Sequence, residues 1–380
     1  MIKITDKSQC CGCTACEAIC AHKAISMKLD VLGFLYPEVD ASKCTDCRQC
    51  DEVCAFKSDY DTTENLPSPI AYGARHKDMN EVMKSRSGAV FVALSDYVLE
   101  HGGVVYGAGY KEHFRVAHKR ATTKSERDEF RGSKYVQSDL SGIFQEVKQD
   151  LKDDYYVLFS GTPCQIAGLK SYIGERQLEK LLLVDVICHG VPSPYMWHDY
   201  IEYLEKRNGA KVTAVDFRDK TINGWSDHKE SFVYDTGQKE AVTYYTNKIL
   251  YSGIALRKSC AKCPFANTHR PSDITLGDFW GWEKWNADFN KDDRGVSLVL
   301  CNTLKGKEMF DKISSFLHYK ETMPEEYMQT RLEYPTEEHK QRDEFEKDYA
   351  LRGFEYVMNH DYNKVTLLQR LKRKIKKLIR

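Results

Sequence analysis

The sequence predicts an α/β protein with three parts: a small cysteine-rich domain, a larger α/β domain and a helical C-terminal region. Eight cysteines fall in two equally spaced runs within the first 54 residues. Short apolar segments then alternate with loops and helical segments between residues 104 and 206, which is typical of a sheet with parallel strands. From about residue 303 the chain is charged and has helical spacing. The predicted division is a domain at 1–60, a linker at 61–75, two parts of the larger domain at 76–190 and 191–345, and a helical basic tail at 346–380.

The two cysteine runs share the spacing C-x2-C-x2-C-x3-C. In ferredoxins with two [4Fe-4S] clusters, three cysteines of such a run bind one cluster and the fourth binds the other. The spacing therefore predicts a first cysteine group of Cys10, Cys13, Cys16 and Cys54, and a second cysteine group of Cys20, Cys44, Cys47 and Cys50. Ala21 and Ala55 stand where bacterial ferredoxins usually have proline, and Cys11 receives no role.

Two other interpretations of these runs fit less well. A disulfide framework is disfavoured because cysteines so close together bridge poorly, and because the segment MIKITDKSQC lacks the apolar stretch of a secretion signal. Structural zinc usually takes two cysteine pairs separated by a long loop, whereas each run here packs four cysteines into eleven residues. We therefore expect iron–sulfur clusters in a protein of the reducing cytoplasm.

The length and net charge of the chain limit its possible domains and partners. At 380 residues the chain is too long for a ferredoxin alone, and about 300 residues remain for a domain with its own core. The formal net charge is zero, so no overall field attracts nucleic acid, and we expect no nucleic-acid partner. No apolar run reaches transmembrane length.

The larger domain is predicted to alternate strands and helices. In chain order we expect a helix at 88–101, strands at 104–110 and 115–120, a helix at 140–151, a strand at 155–160, a helix at 165–173, a strand at 181–188 and a helix ending at 206. Antiparallel strands are expected within 211–245 and at 274–278 and 296–302. The chemistry of a parallel sheet lies at the carboxyl ends of its strands, where Cys164 and Cys188 fall.

Four further cysteines form a third cysteine group: Cys164, Cys188, Cys260 and Cys263. The first two lie in turns rich in glycine and proline, whose free N–H groups can hydrogen-bond cluster sulfur, and the last two form a C-x2-C pair. This group is either the ligand set of a third [4Fe-4S] cluster or two buried thiols beside an isolated pair, and spacing alone favours neither. Cys301 lies in a strand-like segment and is expected in the core.

Six segments in one order carry a family resemblance. They are CGCTACEAIC near the amino end, SRSGAVFVALSDYVLEHGGVVYGA at 85–108, RGSKYVQSDL at 131–140, SGTPCQIAGLKSYIG at 160–174, DVICHGVPSP at 185–194 and RKSCAKCPFANTHRPSDITLGDFWGW at 257–282. With these segments the chain resembles the coenzyme F-420 hydrogenase/dehydrogenase beta-subunit family. The resemblance implies FAD, at least one [4Fe-4S] cluster beside it, and electron passage between the flavin and a two-electron carrier or substrate. Nothing in the sequence identifies a deazaflavin site.

The resemblance also implies site residues. It favours a third cluster on the third cysteine group, and it implies FAD contacts from Ser85, Ser87, Gly88, Gly132, Ser133, Lys134, Tyr135, Gly161 and Thr162. Candidates to manage protons at the flavin are Lys134, His189 and Asp278, with Asp273 a further one. Without the resemblance, the serine–glycine segment at 87–88 is a plain helix cap and Lys134 a solvated charge. No GxGxxG fingerprint is present, which excludes an ordinary dinucleotide-binding fold.

These observations predict an iron–sulfur flavoprotein oxidoreductase. Electrons pass from an external donor through the clusters to FAD, or in the opposite direction, and FAD exchanges electron pairs with an unidentified small-molecule substrate. The first alternative is a non-catalytic electron-transfer subunit that docks on a partner enzyme, and the second is a redox sensor with labile clusters. The redox partner would be a ferredoxin or an oxidoreductase subunit.

The end of the chain carries a separate prediction. Residues 362–380 are basic and have apolar residues at helical spacing. Such a helix either lies on an anionic membrane surface, as a peripheral contact, or packs on its own protein or a partner, and the sequence favours packing.

Overall fold

The computed structural model describes residues 1–57 and 59–362, without the side chains of Arg176 and Asn223. The predicted basic tail at 362–380 lies outside these residues except for Tyr362. Among the described helices, none combines the length and apolar composition that a membrane span requires.

The strands of the described residues form three sheets. They are β1 Ile25–Leu29, β2 Leu35–Val39, β3 Asn65–His76, β4 Val104–Tyr110, β5 Val116–Ala121, β6 Val157–Gly161, β7 Leu181–Val186, β8 Val212–Asp216, β9 Glu230–Tyr234, β10 Lys239–Val242, β11 Ile274–Asp278, β12 Ser297–Thr303 and β13 Leu317–Thr322.

The α-helices of the described residues range from one turn to five. They are α1 Ala15–Ile19, α2 Gln49–Glu52, α3 Met79–Lys84, α4 Val90–Glu100, α5 Lys124–Asp128, α6 Ile143–Lys152, α7 Pro163–Ile173, α8 Pro194–Asn208, α9 Lys220–Asn223, α10 Trp282–Asn286, α11 Leu304–Ile313, α12 Pro324–Tyr327 and α13 Arg342–Asn359. A π-helical segment covers Thr246–Tyr251, and short 3-10 helices cover Lys7–Gln9, Glu112–Phe114, Glu175–Gln177, Lys258–Lys262, Ser314–Phe316 and Thr330–Leu332.

An eight-stranded mixed sheet is the centre of the molecule. Its strand order is β13-β3-β12-β11-β7-β6-β4-β5. The sheet has a parallel centre formed by β11, β7, β6 and β4. The remaining strands, β13, β3 and β12 on one side and β5 on the other, pair antiparallel. Parallel strands are usually buried on both faces. Accordingly, apolar residues occupy nearly all of the buried positions of β6 and β7. The predicted α/β fold is therefore confirmed.

The N-terminal residues pack against one face of this sheet. Hairpin β1–β2 and helices α1 and α2 cover helices α6 and α7, and their side chains join one apolar core with the sheet. Ala15 and Val53 from the N-terminal part share this core with Phe144 and Ile166. The predicted 1–60 domain thus shares one apolar core with the large sheet and its helices, which are together called the larger body.

The C-terminal region and the small sheet share a second core. Strands β8, β9 and β10 form an antiparallel sheet in the order β10-β9-β8. Trp197 and Tyr200 on α8 pack with Phe232 of this sheet and with Phe345 and Phe354 on α13. Helix α13 bends at the residue before Phe354, a glycine with φ of 76°. The predicted helical C-terminal region is confirmed, with β13 as a strand inside it.

One segment differs from its prediction. The sequence predicts a linker at residues 61–75, but its residues from 65 onward form most of β3, an inner strand between β12 and β13. Pro67 and Pro69 suggest a loop because proline cannot donate to a strand ladder. They lie where the register of β3 with β12 shifts, between the pairs Asn65–Thr303 and Ile70–Cys301, so the missing N–H groups are tolerated there.

Candidate functional site

The structure brings together the cysteines that the spacing assigns to each cluster. One small cavity is lined by the complete first cysteine group, Cys10, Cys13, Cys16 and Cys54. A second small cavity is lined by the complete second cysteine group, Cys20, Cys44, Cys47 and Cys50. In both cases the fourth sulfur comes from the other run. Each cavity thus holds the four thiols that a [4Fe-4S] cluster requires, and the first is also lined by Cys11.

The two loops achieve this convergence with the same backbone conformation. Gly12 and Asp46 precede the second cysteine of each run, and their φ angles are 69° and 51°. Thr14 and Arg48 follow that cysteine, with φ angles of 67° and 62°. These left-handed residues curl each loop tightly, so that three cysteines face one centre before α1 or α2 begins.

Backbone N–H groups accompany the sulfurs. The Ile2 N–H donates to Cys50 Sγ at 3.3 Å, and the Ala24 N–H donates to Cys20 Sγ at 3.3 Å. Hydrogen bonds of this kind stabilise thiolate and cluster sulfur and tune cluster potentials. Both acceptors belong to the second cysteine group, whose thiols therefore fit a cluster in donor type and in their hydrogen bonding.

The third cysteine group also converges. Cys164 lies in the first turn of α7 directly after β6, and Cys188 lies two residues beyond β7. Burial raises the pKa of the Cys188 thiol, and the neighbouring Cys260 and Cys164 raise it further, with a smaller contribution from Cys263. The Gly190 N–H donates to Cys188 Sγ at 3.3 Å and the next N–H, of residue 191, donates to Cys260 Sγ at 3.5 Å. The arrangement is four thiols with backbone donors at the carboxyl edge of the parallel strands.

Two cysteines lie outside the three groups. Cys11 is buried in the wall of the first small cavity, and its thiol interacts with the thiols of Cys13 and Cys164, which raise its pKa. It therefore connects the first cysteine group to the third, a position that the sequence did not reveal. Cys301 on β12 is wholly buried in the apolar core of the sheet, as expected.

A large cavity lies beside the third cysteine group. This main cavity has a volume of about 680 Å³ and opens at the carboxyl ends of the parallel strands. Cys188 contributes to its wall. The predicted site residues that line it are Ser85, Ser87, Gly132, Ser133, Lys134, Tyr135, Gly161, Thr162, His189 and Asp278.

Two predicted site residues lie outside the cavity lining. Gly88 donates its N–H to Ser297 Oγ at 2.9 Å, and a Cβ there would come within 2.3 Å of the Ala74 carbonyl oxygen. Its role is close packing of the chain against the sheet. Asp273 is buried, accepts hydrogen bonds from the N–H of residue 183 and from Thr303 Oγ1 at 2.8 Å each, and pairs with a lysine. These contacts give Asp273 a structural role at the edge of the sheet.

Lys134 and Asp278 are held by neighbours. The Lys134 ammonium donates to the carbonyl oxygens of Glu129 and Arg131 at 2.6 and 2.9 Å, and burial lowers its pKa to about 7. Asp278 is buried, which favours its neutral form, but Arg218 and a second arginine act in the opposite sense and leave the pKa of Asp278 below its ordinary value. Asp278 accepts from Arg218 Nη1 at 2.5 Å and is therefore a fixed carboxylate rather than a proton donor.

His189 is the predicted residue best placed to handle a proton. Its Nε2 is buried and has no hydrogen-bond partner among the described residues. Burial, followed by Arg331, lowers its pKa to about 4, so the ring is neutral near pH 7. The ring lies edge-on to Tyr251, whose hydroxyl is hydrogen-bonded to His228 Nδ1. All four of these residues line the main cavity.

Sequence reasoning missed a cationic and aromatic wall. Arg86 lines the main cavity with its Nε and Nη1 buried and without hydrogen-bond partners among the described residues, while its Nη2 donates to the Trp225 carbonyl oxygen at 2.6 Å. Arg218 lies 5.1 Å from the centre of the Trp280 ring, which stacks on Trp225. Arg86 stands inside the SRSG motif, but nothing in the sequence separates it from the serines beside it.

A comparison with protein families matches part of the chain. Residues 155–326 match the family described as the C terminus of the coenzyme F420 hydrogenase/dehydrogenase beta subunit. The match supports the resemblance that the motifs carry. The matched segment contains the third cysteine group and Asp278.

Among solved structures, the chain is similar to one in a structure of the F420-reducing [NiFe] hydrogenase complex from Methanosarcina barkeri that was derivatised with xenon. The sequence identity is 18%, the TM-score is 0.45, and the match covers 77% of this chain and 90% of that one. A comparison with curated protein sequences finds no match.

Proposed function

We propose that the protein is an iron–sulfur flavoprotein oxidoreductase that passes electrons between three [4Fe-4S] clusters and FAD, and on to a two-electron acceptor. The family match supports the coarser statement that it is a redox protein of the beta-subunit type. One observation carries the finer proposal: the three cysteine groups form a continuous series that leads to the main cavity.

The series runs from the surface inward. In the second cysteine group Cys47 is exposed, which suits an entry point for electrons. The first cysteine group is next, because α1 and α2 contact each other and share a core. The thiol of Cys11 then bridges from Cys13 to Cys164 in the third cysteine group, and Cys188 of that group lines the cavity. We infer that electrons follow this order, in either direction.

The main cavity suits FAD in its polar contacts. FAD would supply the exchange between single electrons and electron pairs. The unpartnered Nε and Nη1 of Arg86 and the buried, unpartnered Oγ of Ser85 are donors for an anionic group such as a pyrophosphate. The turn from Gly132 to Tyr135, held in place by the Lys134 ammonium, also lines the cavity.

Proton handling is assigned to other residues of the cavity lining. His189 is neutral and has a free Nε2, so it can accept or deliver a proton at the cavity surface. The hydrogen-bonded pair of Tyr251 and His228 offers a second route from the cavity lining. Lys134 and Asp278 are positioning residues in this proposal, since their polar atoms are already bonded to protein groups.

The proposal also includes a redox partner and a cellular location. We propose that a ferredoxin or an oxidoreductase subunit docks at the exposed second cysteine group, in the cytoplasm, where thiols remain reduced. The substrate is a small molecule that reaches FAD in the main cavity. The division at residue 60 and the boundary between 190 and 191 remain part of this proposal, whereas the larger domain begins with β3 at Asn65 rather than at 76.

The test is the cofactor content of protein purified without oxygen. The proposal predicts about twelve iron atoms per chain, four for each of three clusters, and one extractable flavin. The variant Cys188→Ser is expected to lose about four irons. The variant Cys301→Ser, which changes a buried cysteine outside the three groups, is the matched control and should keep all twelve.

Other cofactor contents would change the conclusion. About eight irons without flavin would leave a ferredoxin with a docking domain, which is the non-catalytic alternative. A preparation reconstituted without oxygen that holds neither iron nor flavin would contradict both interpretations.

A further inference from the structure

Arg257 joins the larger body to the loop of the first cysteine group. It lies three residues before Cys260 and is 1% exposed. Its Nε donates to the Cys10 carbonyl oxygen at 2.7 Å, and its Nη2 donates to the Leu35 carbonyl oxygen at 2.7 Å. Its Nη1 donates to Gln137 Oε1 at 3.0 Å. The Arg257 guanidinium therefore bonds the N-terminal cysteine-rich part to the larger body.

The loop is shaped to receive this guanidinium. Gly12 lies against it, and a Cβ on Gly12 would be 2.7 Å from Arg257 Nη1. Gln137 donates from its Nε2 to the carbonyl oxygen of Cys11 at 2.9 Å, so it is bonded to the loop and to Arg257 at once. The rings of Phe34 and Tyr36 lie 5.4 and 4.2 Å from the guanidinium carbon.

The charge of Arg257 has no carboxylate partner. Among the ion pairs of the described residues, none includes Arg257. A buried charge is costly unless an opposite charge compensates it. The ionisable groups nearest to it are the Tyr36 phenol and the thiols of Cys10, Cys11 and Cys260, and Nη2 lies 3.7 Å from Cys10 Sγ. The negative charge that compensates Arg257 would therefore be carried by cysteine sulfur.

We propose that Arg257 raises the reduction potential of the cluster held by the first cysteine group. This inference rests on the proposed function, because it needs a cluster there. Reduction adds one electron to the cluster and makes it more negative, so a fixed positive charge against Cys10 Sγ favours the reduced form. In the transfer step one electron leaves the second cluster, which is oxidised, and enters the first, which is reduced. No bond forms or breaks.

The effect is specific to one of the two similar loops. The loop of the second cysteine group makes its polar contacts with Met1, Ile2 and Asp40 instead. Its potential should therefore not respond to Arg257. Electrons that enter at the second cluster would then be drawn inward to the first. Arg257 acts here as a positioning residue, since it sets the field and does not itself carry electrons.

The experiment is a redox titration of the full-length, cluster-loaded protein followed by electron paramagnetic resonance. The signal of the second cluster is assigned by its loss in Cys47→Ala. In Arg257→Gln we expect the ratio of reduced to oxidised first cluster, at the wild-type midpoint, to fall about tenfold, which is about 59 mV for one electron. Arg257→Lys keeps the charge and should stay close to the wild-type ratio.

Two further variants protect the test against a folding failure. Gln137→Glu keeps Arg257 and the shape of the site but adds a carboxylate beside Nη1, so it should shift the first cluster in the same direction as Arg257→Gln. Arg127→Gln removes an equally buried guanidinium, 1% exposed, that pairs with Asp96 and Asp128, and it should shift neither cluster.

The outcomes separate this inference from the proposed function. Intact clusters whose potentials do not change in Arg257→Gln or Gln137→Glu would overturn the role of Arg257 alone. Equal shifts of the first and second clusters would also overturn it, because Arg257 contacts the loop of the first cysteine group and not that of the second. A wild-type protein without cluster signals would remove the proposed function itself.

Discussion

The two cysteine loops have the same spacing and the same left-handed backbone positions, but different surroundings. The loop at 10–16 is buried against Gly168 on α7 and against Arg257, whereas the loop at 44–50 exposes Cys47. Local sequence therefore determines how each loop curls, and the larger body determines what each loop can do. We assign the buried loop to internal electron transfer and the exposed loop to exchange with a partner.

The largest expected effect separates the two loops by function. Cys16→Ala and Cys47→Ala should each lose about four irons. With reduced ferredoxin as donor, both variants should fail to reduce the flavin. With reduced methyl viologen, Cys47→Ala should keep flavin reduction, because a small donor reaches the inner clusters, while Cys16→Ala should slow it. Stopped-flow absorbance measures both rates, and identical behaviour of the variants with both donors would refute the assignment of roles.

The loops should also differ in their resistance to oxidation. Mild ferricyanide treatment is expected to remove the cluster of the second cysteine group first, because Cys47 is exposed, while Cys16 of the first group is buried. Iron release and the loss of each paramagnetic signal are followed over time. Earlier loss of the first cluster would mean that the larger body does not protect it.

Matched positions in the loops should tolerate substitution differently. Gly12→Ala places a side chain at a left-handed position and 2.7 Å from Arg257 Nη1, and we expect it to lower the free energy of unfolding by roughly 2–4 kcal/mol. Asp46→Gly changes the equivalent position, where an exposed ion pair with the Met1 ammonium contributes little to stability, so we expect a much smaller loss. Urea unfolding of the cluster-loaded variants gives both values. A cost for Asp46→Gly as large as that for Gly12→Ala would break the comparison.

The smallest expected effect concerns helix α7. An alanine at Gly168 would place a Cβ 2.7 Å from Cys13 Sγ. Glycine to alanine within a helix is ordinarily stabilising by about 0.5–1 kcal/mol, but here we expect a loss of roughly 1–2 kcal/mol and a weaker hold on the first cluster. Ser171→Ala changes an exposed position on the same helix and serves as the control. A stabilised Gly168→Ala with full iron content would show that Cys13 has room to move.

Much of this arrangement is predictable from the sequence because it depends on local spacing. The cysteine runs lead to two sets of four, and the same two sets line the two small cavities. The alternation of β6, α7 and β7 with their following turns leads to a parallel sheet with Cys164 and Cys188 at its carboxyl edge. Whether these sulfurs hold iron remains a prediction.

The rest depends on contacts between distant segments. Arg257 lies 247 residues from Cys10, and only the folded chain shows that their side chain and carbonyl meet. The bridging position of Cys11 follows from the docking of its loop against α7, which no local pattern encodes. Pro67 and Pro69 favour the predicted linker at 61–75 over a strand, because the bulge that accommodates them forms only when β3 pairs with β12.

The most direct test of the proposed electron path is a diffraction experiment on anaerobically grown crystals, with data collected on both sides of the iron absorption edge. Three clusters would give three sites of strong anomalous density at the iron edge, one inside each of the three cysteine groups. Density at the zinc edge instead, or at the first two groups without the third, would contradict the path of electrons from the surface to the main cavity.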